Sequence, residues 1–276
     1  MPEGDTIFRA ARTLHKALSG KTVTRFETVL ALLARVDDQS PIAGRRIEEV
    51  RAAGKHLLFE FSGDLFLRTH MRMSGSWHIY RIGERWQRPR RDMRIVVETA
   101  DFAAVGFSIP VAELIDRRAL ERHDELRRLG PDLLGSEIDE QEIIRRIRER
   151  NQKPIGELLL NQRVAAGIGN VYKNEVLFLC GVHPHTIAAQ ITDDQIRGLF
   201  ATAATLMRAN VRDGTPQAIT TYTGLRRTTH RSDPSSRLWV YSRGGEPCRK
   251  CGTPIEFSKD GDDARVTYWC PSCQRM

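Results

Sequence analysis

Four cysteines near the carboxyl end constrain this chain more than any other feature. "CRKC", then eighteen residues, then "CPSC" places Cys248, Cys251, Cys270 and Cys273 as two C-x2-C pairs. Each pair can hold one edge of a tetrahedral Zn²⁺ site and draw two turns of a β-hairpin together. Four thiolates close the coordination shell, so one structural zinc per chain is expected, with no open position for an activating water. A module of roughly 30 residues cannot build a sufficient core of its own, which is why it would need the metal. Paired disulfides and a redox pair are the competing readings. Paired disulfides suit an oxidising compartment, whereas the chain reads as cytoplasmic. The acidic start "PEGD" is unlike a signal peptide, and no apolar run reaches membrane-spanning length. The fifth cysteine, Cys180 in "VLFLCG", reads as a small buried residue at an apolar helix end.

Upstream of this module the hydrophobic period changes twice. "DTIFRAARTLHKALS" (5–19) carries Ile7, Phe8, Ala11, Leu14 and Leu18 at helical spacing, with Asp5 or Thr6 as cap and Gly20 as stop. Seven short segments of period two follow, among them "HLLFEF", where Leu57, Phe59 and Phe61 alternate onto one face. A helix and about seven strands predict a β-sandwich or barrel-like domain over residues 1–115. The charge-rich stretch 116–135 reads as a connector. From Ser136 the period is helical: Ser136-x-x-Asp139 resembles a capping signal ahead of Ile143, Ile144 and Ile147. "PIGELLLNQ", "NVYKNEVLFLCG" and "DDQIRGLFATAATLMRANV" give further helices, so 136–243 forms a helical domain and 244–276 the cysteine module. The expected class is multi-domain α+β.

Lys and Arg number 43 against 35 Asp and Glu, a net charge of +8. This favours an anionic partner, with nucleic acid foremost. No G-x-x-x-x-G-K-[ST], H-E-x-x-H or G-x-S-x-G occurs, so P-loop, zincin and nucleophile-elbow chemistries are not indicated. Two stretches read in two ways. In "MPEGDTIF", Pro2 is either an ordinary first-turn proline or, once Met1 is removed, a secondary amine nucleophile beside Glu3. In "NQRVAAGIGNVYKNE", Gly167 and Gly169 precede Asn170 at a helix start. That is either a tight helix–helix turn or a set of N–H groups fit for a phosphate.

Taken together, "MPEG", "NQKPIGELLLNQRVAAGIGNVYKNE" and "CRKCGTPI…ARVTYWCPSCQ" resemble the formamidopyrimidine-DNA glycosylase / endonuclease VIII family of base-excision repair enzymes, in the family's order along the whole chain. The resemblance implies an N-terminal helix with a β-sandwich, a helix-two-turn-helix DNA-binding domain, and a zinc-finger hairpin. It implies a bifunctional glycosylase and apurinic/apyrimidinic lyase acting on double-stranded DNA with damaged bases or abasic sites. Pro2 matches the family nucleophile, Glu3 its general acid, and Lys55 a lysine on an early strand that holds phosphate and assists the chemistry. Asn170 and Arg265 match the pair gripping phosphate beside the lesion, with Lys153 a further phosphate contact. Glu175 matches a supporting glutamate. Met73, with Arg72 beside it, lies where family members carry the wedge that fills the hole left by an extruded base; a core methionine is the rival reading.

Two departures bear on substrate. The Arg-Arg-Phe-Gly loop of the purine-preferring branch is missing from "DMRIVVETADFAAVGFSI". With Gly4, this points to the endonuclease VIII branch and oxidised pyrimidines. Many relatives carry glutamate at the sixth position, where this chain has Thr6. A purine-type glycosylase and a non-catalytic, zinc-dependent damaged-DNA-binding protein are the alternatives. A single active site needs no second copy, so a monomer is expected.

Overall fold

The computed structural model describes residues 2–212, 227–229, 236–260 and 265–275. The chain divides into two compact units, one within Met1–Arg128 and one within Leu129–Arg212 and Leu225–Met276. Of the stretch 223–237, which leads into the cysteine module, only residues 227–229 and 236–237 are described.

The first unit opens with α1 (Gly4–Leu18). Ile7, Ala10, Ala11, Leu14 and Leu18 form its buried stripe, while Phe8 is only half-buried. The cap is neither Asp5 nor Thr6. The helix starts one residue earlier, with extended Glu3 as N-cap, and its carbonyl takes the first bonds from Thr6 N (3.0 Å) and Ile7 N (3.1 Å). Gly20 stops the helix at φ +78°, a left-handed conformation cheap only for glycine.

Strands β1 (Arg25–Thr28), β2 (Ile47–Ala53), β3 (His56–Phe61), β4 (Leu65–His70), β5 (Ser76–Arg81), β6 (Met93–Glu98), β7 (Phe102–Phe107) and β8 (Val111–Asp116) follow. They form two antiparallel four-stranded sheets, ordered β1-β6-β7-β5 and β2-β3-β4-β8. Leu57, Phe59 and Phe61 share one buried cluster with Trp77 and Ile79 of the other sheet and with the α1 stripe. Each such side chain contributes about 1.5–3 kcal/mol on burial. The period-two reading missed two elements. A helix, α2 (Ala31–Gln39), interrupts the strands; of its residues only Leu33 is fully buried, which leaves a weak pattern. The stretch expected to be pure connector contributes part of β8, whose register puts Leu114 opposite Leu67, followed by the short helices α3 (Arg117–Arg122) and α4 (Asp124–Arg127).

The second unit holds α5 (Glu140–Arg148), α6 (Ile155–Leu160), α7 (Asn170–Leu179) and α8 (Asp193–Arg212). Asp139 rather than Ser136 caps α5, its Oδ1 accepting from Glu142 N at 2.9 Å. Ile143, Ile147, Leu158, Leu159, Tyr172, Leu177, Leu199 and Ala203 pack into one cluster. The hairpin β9 (Glu256–Asp260) and β10 (Arg265–Trp269) completes the unit. Its small core of Ile255, Cys248 and Cys270 leans on Phe178 of α7 and on Val240. Cys180 is only half-buried, its Sγ 3.5 Å from Thr202 Oγ1.

Candidate active site and nucleic-acid interface

Pro2 and Glu3 are both buried at the start of α1, with Glu3 fully so. The Glu3 side chain makes no capping bond; its backbone does that work. Behind it, Thr6 Oγ1 lies 3.3 Å from Asp5 Oδ1, with both residues buried.

Lys55 is not on a strand. Ala53 pairs with His56, so Gly54 and Lys55 form the two-residue turn between β2 and β3. Gly54 has φ +57°, the conformation that a II′ hairpin turn requires at its first position. Because His56 pairs in turn with His70, this turn lies at the same sheet end as the β4–β5 loop (71–75). That loop separates the two methionines. Met71 is 1% exposed and belongs to the core, whereas Met73 is 66% exposed. Arg72 takes the left-handed conformation (φ +49°), and its N–H donates to His70 Nδ1 at 3.0 Å. Gly75 N closes the loop on Met71 O at 2.8 Å, an approach that a Cβ at Gly75 would block.

A polar network around buried Arg68 supports this sheet end. Arg68, 3% exposed, bonds His56 Nδ1 (2.8 Å), Glu113 (2.9 Å) and Glu125 (3.1 Å), and the His56 and His70 rings meet edge to face at 4.8 Å. Burial first, and then the neighbouring positive charges, push His56 down to about 3 and His70 down to about 4. A neutral His70 keeps the Nδ1 lone pair that accepts from Arg72. Because both pKa values fall below the ordinary 6.5, the network's contribution is present above about pH 6.5 and is lost as pH falls towards 4. An NMR titration is expected to find the His70 ring neutral from about pH 5 upward; a ring that titrates near its ordinary value would contradict this account of the loop.

In the second unit, Asn170 is not the helix cap. Gly169 holds that place with extended backbone, and Asn170 is the first helical residue, 7% exposed. One Nδ2 hydrogen goes to Val266 O at 2.8 Å, which brings Asn170 beside the residue after Arg265. Arg265 lines a cavity of about 740 Å³ together with Lys173, Lys259, His185, Asp260 and Asn161. Lys153 lies at the surface, 3.4 Å from Glu157, which lines the same cavity. Glu175 does something different. It is wholly buried, and its carboxylate accepts from Trp239 N (2.7 Å), Val240 N (2.9 Å), Tyr241 N (2.9 Å) and the Thr228 hydroxyl. Burial pushes its carboxyl up while these donors act in the opposite direction. Its observed work is to fix the chain entering the cysteine module.

The four cysteine Sγ atoms lie within 4.8 Å of one another, with Cys251–Cys270 at 3.4 Å and Cys248–Cys273 at 4.0 Å. Zn–S bonds of about 2.3 Å in a tetrahedron require S···S edges of about 3.8 Å, so the donor set fits Zn²⁺. Burial and the crowding thiols push Cys273 up to about 12, while hydrogen bonds with Thr253 pull Cys251 down to about 6.

Three sequence families match consecutive parts of the chain: the formamidopyrimidine-DNA glycosylase N-terminal domain over 1–130, the formamidopyrimidine-DNA glycosylase H2TH domain over 129–221, and the zinc finger found in FPG and IleRS over 245–275. The chain is 40% identical to probable endonuclease 8 2 of Streptomyces coelicolor, covering 99% of this chain and 94% of that protein. It is 38% identical to the DNA-(apurinic or apyrimidinic site) lyase Nei2 of Mycolicibacterium smegmatis, covering 99% of each. Its fold matches that of Lactococcus lactis Fpg in complex with DNA containing an abasic site, with a TM-score of 0.82 at 24% identity and full coverage of both chains. An amino-terminal helix on paired sheets, an H2TH body and a four-cysteine hairpin therefore make this chain a member of the formamidopyrimidine-DNA glycosylase / endonuclease 8 family.

Proposed function

We infer that the chain is a bifunctional DNA glycosylase and apurinic/apyrimidinic lyase of base-excision repair, with Pro2 as nucleophile. The observation that carries this reading is the burial of Pro2 and Glu3 side by side at the positive end of a 15-residue helix. The helix dipole there opposes a second positive charge, which favours the neutral imino form once Met1 is removed. That nitrogen attacks C1′, and the base departs with the electrons of the glycosidic bond. Glu3 donates a proton to the ring oxygen as the sugar opens, leaving an iminium link between Pro2 and C1′. The iminium acidifies the C2′ proton. Its removal expels the 3′ phosphate, a second elimination expels the 5′ phosphate, and hydrolysis frees Pro2. Lys55 holds a backbone phosphate near this chemistry. Asn170 and Arg265 grip phosphate beside the lesion, where the rigid guanidinium fork suits phosphate oxygens, and Lys153 adds a further contact.

The target base must leave the stack before an amine reaches its sugar. Exposed Met73, held out by a left-handed Arg72, is the wedge that takes its place. Met73 is 66% exposed, so Met73→Ala is expected to leave stability within about 0.5 kcal/mol. Excision from duplex DNA should fall about tenfold or more, since unstacking costs a few kcal/mol, while cleavage of single-stranded abasic DNA changes little. A 2-aminopurine opposite the lesion reports the lost insertion.

Oxidised pyrimidines are the substrates. Over residues 92–109 the strands β6 and β7 take up nearly the whole stretch and leave only short turns at 99–101 and 108–110, with no long loop to supply further void-filling residues. The name endonuclease 8 among the relatives agrees with this choice. No helix of the described residues is long and apolar enough to cross a membrane. A monomer working on the nucleoid in the cytoplasm is part of the proposal. A panel of duplexes bearing thymine glycol, dihydrouracil, 8-oxoguanine or an abasic site tests the reading. The expected result is excision of both pyrimidines ahead of 8-oxoguanine, with phosphate at both ends of the gap; binding without cleavage of the abasic duplex would refute it.

A further inference from the structure

One face of α7 carries Asn170, Lys173 and Asn174 at i, i+3 and i+4, all buried. Their partners are three successive residues of β10. Asn170 Nδ2 donates to Val266 O (2.8 Å), Lys173 Nζ donates to Thr267 Oγ1 (2.7 Å), and Tyr268 N donates to Asn174 Oδ1 (2.6 Å). On its other edge β10 pairs with β9 in the register Arg265↔Asp260 to Trp269↔Glu256. Backbone groups alternate sides along an antiparallel strand, so the outward groups of 266 and 268 are those that α7 meets. The Thr267 hydroxyl also bonds Asp260, and His185 Nε2 lies 3.1 Å from Asp260 Oδ2, so β9 is tied to the helical body as well.

A two-stranded ribbon of five residues a side does not hold its own register. A slip of one residue would move Arg265 by about 3.3 Å and turn its side chain to the opposite face. The four cysteines fix the turns beyond Ile255 and Trp269; Arg265 lies at the other end of the ribbon. We propose that the polar face of α7 takes the place of a third strand beside the zinc hairpin and sets its register, which makes Lys173 and Asn174 positioning residues for Arg265 in the phosphate grip it shares with Asn170. The inference rests on the reading of that pair given above.

The test uses the full-length zinc-loaded protein and a duplex carrying a tetrahydrofuran abasic analogue, with affinity measured by anisotropy across a salt series. Arg265→Ala should lower affinity about tenfold and reduce the salt slope by about one contact. Asn174→Leu and, separately, Lys173→Met should reproduce both changes while metal analysis still finds one zinc per chain. Added to Arg265→Ala, Asn174→Leu should cost less than about twofold more, because it acts through the residue already removed. Losses that multiply in the double variant overturn the inference, as does unchanged affinity in both single variants. Zinc loss by both single variants overturns it too, since α7 would then hold the finger's fold rather than its register. An Arg265→Ala variant with unaltered affinity and slope strikes the phosphate-grip reading itself, and the inference with it.

Discussion

Glu3→Gln is expected to slow release of an oxidised pyrimidine about 10²–10⁴-fold, the usual scale for losing a positioned general acid. Glutamine keeps the length and shape of the side chain. The backbone carbonyl of Glu3 receives the first two helical bonds, which the substitution leaves in place. Cleavage of a preformed abasic site should suffer much less. Such a site already exists partly as an open-chain aldehyde, and the proton that Glu3 supplies for ring opening is then not needed. Single-turnover rates on dihydrouracil and abasic duplexes separate the two steps. Equal slowing on both substrates would move Glu3 from ring opening to formation or elimination of the iminium.

Removal of zinc, by chelation or by Cys270→Ser, should abolish DNA binding. Structural zinc contributes an apparent 10–16 kcal/mol in small fingers, far more than the Ile255, Val240 and Phe178 cluster supplies by burial. Without the metal the cysteine turns separate, the hairpin loses its frame, and Arg265 is no longer presented. The sandwich of residues 2–128 has its own core around Phe59, Trp77 and the α1 stripe, so it should stay folded. Metal content, near-UV circular dichroism and anisotropy with an abasic duplex follow the loss, and readdition of Zn²⁺ should restore binding. Full affinity in a zinc-free protein would contradict the assignment of Arg265 to the phosphate grip.

The parts of this molecule that sequence made legible are those with short-range signals. Leu57, Phe59 and Phe61 alternate, and they are buried together; the C-x2-C pairs were placed by spacing, and their sulfurs converge. The helices α6, α7 and α8 were marked by period and turn residues. What escaped depended on partners distant in the chain. α2 buries little of its surface, so its stripe was faint. The stretch from Asp116 reads as a charged connector, yet Asp116 ends β8, on which Glu113 bonds buried Arg68 of the adjacent strand. Met71 and Met73 differ by two residues and cannot be told apart by composition; the left-handed turn at Arg72 puts one in the core and the other in solvent. Lys173 and Asn174 carried no signal at all. They matter through bonds to Thr267 and Tyr268, more than ninety positions away, which only the fold brings near.

The most direct measurement is peptide mapping by mass spectrometry after borohydride reduction of the enzyme on an abasic duplex. The expected product is an amino-terminal peptide that begins at Pro2 and carries a reduced deoxyribose remnant on its ring nitrogen. A remnant on Lys55 or any other side chain, or full activity in protein that still retains Met1, would contradict the proposed chemistry.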